Sequence, residues 1–336
     1  MRAPSFWWRS AAPAALLLAP FGWLYGLFSA SRMRKAGEPA AKPVICIGNF
    51  VMGGGGKTPL CLAIGRLAIQ NGLKPGFLSR GYGGSETGPV RVDPRKHMAS
   101  DVGDEPLLLA ALAPTVVAQD RVAGAKALER LGVDLVVMDD GFQNPGLSKD
   151  LSIVVVDGAR GLGNGFVFPA GPLRAPLGVQ LERADAVLVM GPGAPGEAAA
   201  QKARARGLPV FAAELVPLKS DGWDEAPLLA FAGIAAPERF FASLEAAGAT
   251  LGAWRAFGDH HRWSEEDCHA LLDLADEKDL LPVTTEKDAA RLKGTHGAHA
   301  ALYQRLAVFP VRARIADEAG FWGWIAGRLS ERKKMP

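Results

Sequence analysis

The chain has 336 residues, of which 49% are hydrophobic and 22% are charged, and its formal net charge is +3. This length indicates two domains or one large one, and the composition excludes an intrinsically disordered chain. The small net charge gives no sign of a nucleic-acid partner. The three cysteines fit neither a disulfide framework nor a zinc site, so we expect a reduced, cytosolic environment.

The first predicted element is an apolar helix close to the N-terminus. Residues 10–31, between Arg9 and Arg32, carry no charge, and as a helix they would extend about 33 Å, close to the thickness of a bilayer's hydrocarbon core. Trp23 is an aromatic residue of the kind found at membrane interfaces. We interpret residues 1–34 as a membrane anchor that either spans the bilayer or lies in its interface. A cleaved signal peptide and a buried core helix are the alternatives.

From residue 35 onward, short apolar runs alternate with helical segments. The predicted strands cover residues 43–49, 74–80, 115–119, 133–140, 151–158, 184–191 and 208–215, with helices at 58–72 and 121–132. Strands that are apolar throughout are typical of a parallel sheet covered by helices on both faces. We therefore predict an α/β fold, with a doubly wound, mostly parallel P-loop domain over residues 35–217.

The alternation restarts after residue 217. Predicted strands cover 228–234, 249–257 and 280–285, and predicted helices cover 237–248, 264–278 and 286–293. Ser264, followed three residues later by Asp267, predicts a capped helix start. We predict a smaller α/β domain over residues 218–310 and a C-terminal helix within 311–336. The aromatic residues at 321–324 either pack against the protein or contact the membrane.

The stretch GNFVMGGGGKTP, residues 48–59, lies between a predicted strand and a predicted helix. Backbone N–H groups in a glycine turn that leads into a helix form a binding site for phosphate. Lys57 is expected to neutralise the β- and γ-phosphates, and the Thr58 hydroxyl to ligate magnesium. Val51 stands where the usual spacing has a glycine. The predicted nucleotide-binding residues are Met52, Gly53, Gly54, Gly55, Gly56, Lys57, Thr58 and Pro59.

Acidic residues occur at two further positions suited to phosphate chemistry. Asp139 and Asp140 end the apolar strand VDLVVMDD, where an acid is expected to hold magnesium directly or through water. Asp104 and Glu105, in the stretch GDEP, stand at a predicted helix start. The helix dipole favours acids at such a position even without a catalytic role, so the spacing alone favours a capping role for these two residues.

Four other residues are ambiguous on sequence alone. Arg80 in SRGYGG and Arg174 in PAGPLR each lie in a loop and either contact phosphate or are solvated. Asp259 and His260, in FGDHH, either form an oriented general base or a hydrogen-bonded loop.

These motifs occur together, and in this order, in one family. With GNFVMGGGGKTP, SRGYGG, GDEP, DDGFQ, PAGPLR, FGDHH and TEKDAARL, the chain resembles the tetraacyldisaccharide 4′-kinases, the lipid A 4′-kinases of Gram-negative bacteria. The resemblance extends from the apolar N-terminus to about residue 310. The family's loop has the form GNxxxGGxGKTP, without the first glycine, which accounts for Val51.

The resemblance implies a reaction and a location. The γ-phosphate of ATP would be transferred, with Mg²⁺, to the 4′-hydroxyl of a tetraacylated glucosamine disaccharide 1-phosphate, giving lipid IVA. The partners would be this glycolipid and membrane lipid at the cytoplasmic face of the inner membrane. We expect no nucleic acid and no obligate protein partner.

The resemblance also implies residue roles. Asp104 would be the catalytic base, assisted by His260, which Asp259 would orient, and Lys57 would be the loop lysine. The implied metal ligands are Thr58, Asp139, Asp140 and Glu105, and the implied substrate residues are Arg80, Arg174, Gln143 and Asn49. We expect the smaller domain to close over the nucleotide and to bring His260 to Asp104. One departure is Ala175, at a position where the family usually has an acid.

Three other functions stay open on sequence alone. A membrane-associated P-loop switch ATPase would share the loop, but the best-known version has a lysine where Met52 stands. A kinase for a different glycolipid would share the loop and the strand motifs. A non-enzymatic nucleotide-binding scaffold would not need both Asp104 and the acids of DDGFQ.

Overall fold

The computed structural model of the chain describes residues 4–9, 12–218, 223, 225–293 and 296–332. Nine strands form the larger of two sheets: β1 (Val44–Asn49), β2 (Pro75–Ser79), β3 (Val90–Arg91), β4 (Thr115–Val117), β5 (Leu135–Asp139), β6 (Leu151–Asp157), β7 (Ala186–Met190), β8 (Val210–Pro217) and β13 (Val311–Ile315). Their order is β13-β8-β7-β6-β1-β5-β2-β4-β3. Only the outermost pairs, β13 with β8 and β3 with β4, are antiparallel.

Helices cover both faces of this sheet. Those of the larger domain are α1 (Pro13–Met33), α2 (Lys57–Gln70), α3 (Ala99–Val102), α4 (Asp104–Ala110), α5 (Arg121–Arg130), α6 (Leu177–Arg183), α7 (Ala194–Arg204) and α12 (Glu318–Arg332), with a short 3-10 helix at Ser5–Trp8. Residues of α1, α5, α6 and α7 share one core with the sheet, and residues of α2, α4 and α12 share the other. The prediction of a doubly wound, mostly parallel domain is confirmed.

The central strands place the glycine loop at the middle of one sheet edge. All six residues of β1 and all seven of β6 are buried, as are all five of β5. The first strand lies between these two neighbours and is parallel to both. Ligands of open α/β sheets bind at the carboxyl ends of the strands, where the chain turns to opposite sides of the sheet. The glycine loop follows β1 at this point.

The smaller sheet belongs to the second α/β unit. Its strands are β9 (Leu228–Ala232), β10 (Leu251–Ala256), β11 (Leu281–Thr285) and β12 (Ala307–Phe309), and its helices are α8 (Pro237–Ala246), α9 (Glu265–Lys278), α10 (Glu286–Leu292) and α11 (Ala298–Arg305). The order is β10-β9-β11-β12, with every pair parallel. Ser264 and Asp267 form the predicted capping box at the start of α9.

After the smaller sheet, the chain returns to the larger one. The segment 311–336, predicted as a C-terminal helix, also contains the strand β13, which pairs with β8. In α12, Phe321 is fully buried and its ring lies 4.8 Å from that of Phe211. Trp324 packs against Phe211 as well, at 5.3 Å. Of the two interpretations of these aromatic residues, packing against the protein is therefore the correct one.

The N-terminal helix α1 packs one face against the larger domain. Its buried residues are small or apolar: Ala15, Gly22, Gly26, Ala30 and Met33. A Cβ added at Gly22 would lie 2.7 Å from the Val167 carbonyl oxygen, so only glycine allows this close approach. The other face is apolar and exposed. The 21-residue helix is long and apolar enough to cross a membrane, judged by length and composition.

Candidate active site

The glycine loop is shaped for a ligand rather than for packing. Gly53 and Gly56 have positive φ values of 104° and 84°, a conformation that glycine adopts without strain. A Cβ added at Gly54 or Gly55 would meet nothing within 4 Å, so the fold itself does not require glycine there. The Lys57 ammonium lies 3.3 Å from the Gly53 carbonyl oxygen and is almost fully buried. Open space above glycine backbone at a helix start fits a phosphate group.

Thr58 and Asp139 form a buried pair beside this loop. The Thr58 hydroxyl donates a 3.1 Å hydrogen bond to Asp139 Oδ2. Asp139 Oδ1 and the side-chain oxygen of Asn49 are also buried, and neither has a hydrogen-bond partner among the described residues. Burial, and then the negative charge of Glu105, raises the pKa of Asp139 to about 7. Unpartnered buried oxygens of this kind fit a cation.

Asp140, the second strand-end acid, is engaged by two cations. Arg174 binds both of its carboxylate oxygens, at 2.9 and 3.1 Å, and Lys57 lies 3.7 Å away. Burial alone would raise the pKa of Asp140, but Lys57 and Arg174 outweigh it and lower that pKa to about 2. Its φ of 52° is a left-handed conformation, which aspartate tolerates. Arg174, ambiguous on sequence, therefore lies at the site and is paired with an acid.

Gln143 belongs to a network of side chains under the loop. Its amide nitrogen donates to the Asn49 carbonyl at 2.8 Å and to Gln180 Oε1 at 3.0 Å. Gln180 is fully buried and donates to the carbonyls of Phe50 and Ala175. The Ala175 side chain lies in the core, which explains how this chain accommodates a small apolar residue where an acid was expected. Gln180 was not predicted from the sequence.

Asp104 lies at the first position of α4, as predicted, and is 3% exposed. His260 Nδ1 is 3.9 Å from Asp104 Oδ2, and His260 Nε2 is 4.0 Å from Asp259 Oδ1. Both separations exceed hydrogen-bond length. Burial would raise the pKa of Asp104, but the nearby Lys287, Arg291 and His260 lower it below its ordinary value. The structure thus brings His260 next to Asp104, from the other sheet.

Two site residues missed in the sequence analysis are in helix α10. Lys287 donates to Glu105 Oε1 at 2.7 Å, and Arg291 donates to Asp104 Oδ2. Glu105, a predicted metal ligand, is therefore paired with a lysine. Both cations belong to the motif TEKDAARL, one of those shared with the family, and the sequence alone predicted no role for its charged residues.

A buried arginine is a further residue that the sequence did not predict. Arg121, at the start of α5, is 4% exposed, and its Nε has no hydrogen-bond partner among the described residues. Burial, and then the positive charge of the nearby Arg80, lowers the pKa of Arg121. Arg80 itself is exposed. Two neighbouring arginines at the carboxyl edge of the sheet favour the binding of an anion. The sequence signal that could have located Arg121 at a helix start is Asp120, which caps α5.

The predicted metal ligands do not all converge. Within the described part of the chain, no three histidine, cysteine or acidic side chains come together as a metal-binding group. Thr58 and Asp139 are adjacent, whereas Asp140 and Glu105 are bound to Arg174 and Lys287. Magnesium at phosphate-transfer sites commonly takes one or two protein ligands and completes its shell with phosphate oxygens and water. The pair of Thr58 and Asp139 is sufficient for such a site.

The chain is similar over its full length to known proteins. A family model described as tetraacyldisaccharide-1-P 4′-kinase (LpxK) matches residues 14–330. A tetraacyldisaccharide 4′-kinase of Bradyrhizobium sp. strain BTAi1 is 49% identical over 339 aligned residues, covering 100% of this chain and 98% of the relative. The enzyme of that name from Methylobacterium sp. strain 4-46 is 52% identical, covering 94% of this chain and 97% of the relative.

A solved structure has the same fold. The crystal structure of LpxK from Aquifex aeolicus in complex with ATP superposes with a TM-score of 0.69 at 26% sequence identity, and the match covers 94% of this chain and 99% of that one. With the phosphate loop, the strand-end acids and Asp104 assembled at one edge of the sheet, these similarities lead to one conclusion: this chain belongs to the tetraacyldisaccharide 4′-kinase family.

Proposed function

We propose that this kinase transfers the γ-phosphate of ATP to the 4′-hydroxyl of a tetraacylated disaccharide 1-phosphate in lipid A biosynthesis, with Asp104 as the general base. One observation carries the assignment of roles. A glycine loop with Lys57, the buried pair of Thr58 and Asp139, and the base candidate Asp104 with His260 meet at the carboxyl edge of one sheet. Phosphoryl transfer requires these parts: a phosphate cradle, a metal ligand set and a group that orients the nucleophile.

The loop would hold the nucleotide. The space above Gly54 and Gly55 and the N-terminus of α2 supports a role in binding the β- and γ-phosphates of ATP. Lys57 and Arg174 bring positive charge to the same side, where Asp140 holds both in place. We propose that Arg80 and the buried Arg121 contribute charge toward a phosphate of the nucleotide or of the acceptor.

Magnesium would be held by Thr58 and Asp139. Asp139 Oδ1, which has no hydrogen-bond partner in the part of the chain that the structure describes, and the adjacent hydroxyl supply hard oxygen donors, the kind that Mg²⁺ prefers. When bound, the ion supplies charge neutralisation at the phosphate oxygens. The pKa of Asp139, raised by burial to about 7, is expected to fall once a cation lies beside the carboxylate.

Asp104 would accept the proton of the acceptor hydroxyl. In this assignment, the 4′-oxygen attacks the γ-phosphorus, its proton passes to Asp104, and the bond between the γ-phosphorus and the bridging oxygen breaks to release ADP. His260 adjoins the same carboxylate and would help to retain or relay the proton. Asp259 lies 4.0 Å from His260, close enough to bias the orientation of the ring.

The exposed apolar face of α1 would contact the acyl chains of the acceptor. One face of this helix packs on the larger domain through Gly22 and Gly26, so only the opposite face is free for lipid. A helix held along one side in this way supports binding within the interface over spanning the bilayer. We propose a location at the cytoplasmic face of the inner membrane, where ATP and a lipid acceptor are both accessible.

Transfer of labelled phosphate tests this function. Detergent-solubilised protein, γ-labelled ATP, Mg²⁺ and tetraacyldisaccharide 1-phosphate should give labelled lipid, and the Asp104→Asn variant should give none. Asp101→Asn, at a half-buried acid of α3 three residues before Asp104, is the matched control and should retain activity, because asparagine keeps the oxygen that accepts from the Met98 N–H. Hydrolysis of ATP without labelled lipid would favour the switch ATPase, and label on a different glycolipid would favour the other kinase.

A further inference from the structure

Helix α10 of the smaller domain meets α4 of the larger domain through two ion pairs. Lys287 and Arg291 are four residues apart, so they lie on one face of α10, one turn from each other. They bind consecutive residues, Glu105 and Asp104, at the first turn of α4. Both cationic side chains are largely buried, at 27% and 11% exposure. This contact connects the two sheets directly at the residue proposed as the base.

Arg291 is oriented by its own domain. Its Nη1 donates to Asp288 Oδ1 at 2.8 Å and to the Gly233 carbonyl at 2.9 Å. Asp288 is fully buried and in turn accepts hydrogen bonds from the Gly233 N–H, at 3.1 Å, and the Thr285 hydroxyl, at 2.8 Å. One nitrogen of the guanidinium, Nη1, is therefore held by the smaller domain, while Nη2 contacts Asp104 of the larger domain.

The other end of Arg291 holds one oxygen of Asp104. Nη2 donates to Asp104 Oδ2 and lies 3.4 Å from His260 Nδ1. Among the described residues, none makes a hydrogen bond to Asp104 Oδ1. This charge-assisted hydrogen bond restrains Oδ2 and thereby limits the rotation of the carboxylate. Oδ1 is then the oxygen left to accept from an acceptor hydroxyl.

We propose that Arg291 is a positioning residue for phosphoryl transfer, supplied by the smaller domain to orient the Asp104 carboxylate. Lys287 supports it by holding the adjacent Glu105, which fixes α4 relative to α10. The inference rests on the proposed role of Asp104 as base. It also gives the smaller domain a specific part in the reaction, because the base is correctly oriented only while α10 is docked on α4.

This role predicts a loss in kcat with little change in KM. Arg291 binds the base rather than ATP or the lipid, so its removal leaves substrate binding intact and misorients the reacting carboxylate. A misplacement of about 1 Å at a reacting group costs about 100-fold in rate. Arg291→Lys keeps the positive charge but lacks the planar guanidinium that binds Asp288 and Asp104 together, so its rate should lie between those of Arg291→Ala and the wild type.

The test compares two arginines that both cross the domain boundary. Arg239 of α8 binds both carboxylate oxygens of Asp157, at the end of β6, and serves as the matched control. For Arg291→Ala, kcat of the full-length kinase in detergent should fall about 100-fold, with KM for ATP and for tetraacyldisaccharide 1-phosphate changing less than about threefold. Added guanidinium, at millimolar concentration, should recover part of kcat.

The control separates positioning from simple loss of domain contact. Arg239→Ala, which also removes an ion pair between the two domains, should lower the melting temperature while keeping kcat within a few fold and showing no response to guanidinium. Equal kinetic effects in the two variants, or a normal kcat in Arg291→Ala, would overturn the inference. An active Asp104→Asn variant would instead overturn the proposed base, and a normal Arg291→Ala beside an inactive Asp104→Asn would overturn only the role of Arg291.

Discussion

The Thr58 hydroxyl donates a 3.1 Å hydrogen bond to Asp139, which joins the first turn of α2 to the end of β5. The two residues are 81 positions apart in the chain, and both are buried. Their contact is possible because β1 and β5 are adjacent parallel strands whose carboxyl ends meet at one edge. The hydroxyl orients Asp139 Oδ2, and Oδ1 has no hydrogen-bond partner among the residues that the structure describes.

Removing this hydroxyl should weaken the use of magnesium. Thr58→Val keeps the shape of the side chain but loses an oxygen ligand and the hydrogen bond to Asp139. Loss of such a group lowers metal affinity or activity by about 10- to 100-fold. We expect the Mg²⁺ concentration for half-maximal activity to rise accordingly, measured by phosphate transfer across a magnesium titration. Thr58→Ser should behave like the wild type, and an unchanged magnesium dependence in Thr58→Val would contradict this ligand assignment.

Breaking the pair of Arg174 and Asp140 should affect both stability and nucleotide binding. Truncating one partner of a buried ion pair costs about 3–5 kcal/mol, but this pair is 23% and 35% exposed, so we expect about 1–2 kcal/mol. For Arg174→Met in a chain of 336 residues this corresponds to a melting temperature lower by about 1.5–3 °C. KM for ATP should also rise, because Asp140 would then compete with phosphate for Lys57. An exposed pair provides the control: Arg204→Met, which loses only Glu197, should melt like the wild type.

Local patterns predicted the phosphate site because its parts are close in sequence or repeat a known arrangement. The glycine run, Lys57 and Thr58 are contiguous, and the apolar strand before them determines where they lie. Asp139 and Asp140 end a fully buried strand, and parallel strands bring their carboxyl ends to the same edge. Asp104 was identified as a helix start from GDEP alone, although its role came from the family resemblance.

Contacts between distant segments were not predictable in the same way. Lys287 and Arg291 stand in an ordinary amphipathic helix, and only the docking of the two domains shows that they bind Glu105 and Asp104. The strand β13 was missed because its sequence, VRARI, alternates polar and apolar residues at an edge, unlike the uniformly apolar central strands. Its pairing depends on the chain returning to β8 after an entire second sheet.

The exposed face of α1 should determine membrane binding. Leu17, Phe21, Leu24 and Phe28 follow helical spacing and are each 63–77% exposed. Burying one such side chain contributes about 1.5–3 kcal/mol, so replacing all four by glutamine should reduce binding to anionic phospholipid vesicles by far more than tenfold. Vesicle sedimentation measures this directly, and the melting temperature should change little, since these side chains are largely exposed.

Scattered apolar residues elsewhere supply the control for this experiment. Ile69, Leu131 and Leu281 are 38–46% exposed on other elements. Their replacement by glutamine removes apolar surface without touching α1 and should leave vesicle binding unchanged. If the α1 variant still sediments with vesicles as the wild type does, the membrane contact lies elsewhere on the protein.

His299 should make the stability of the smaller domain depend on pH. Its two ring nitrogens lie 2.9 Å from Glu265 Oε1 and 2.8 Å from the Trp263 carbonyl, which joins α11 to the start of α9 and the residue just before its cap. Burial lowers the pKa of His299, but these two acceptors outweigh it, so that pKa is raised above its ordinary value. Both nitrogens face acceptors, and only the imidazolium donates from both.

His299 therefore stabilises the folded protein more at low pH than at high pH. A group with a raised pKa in the folded state contributes its full stabilisation below its unfolded pKa, about 6.5 for histidine, and loses it as the pH rises through the folded pKa. His299→Gln should therefore lower the melting temperature by a few degrees near pH 6, with the difference from the wild type shrinking toward pH 9. His269→Gln, an exposed position on α9, should show no such trend. If His299→Gln lowers the melting temperature by the same amount at pH 6 and at pH 9, the charge of the imidazolium contributes nothing to stability beyond the packing of the ring.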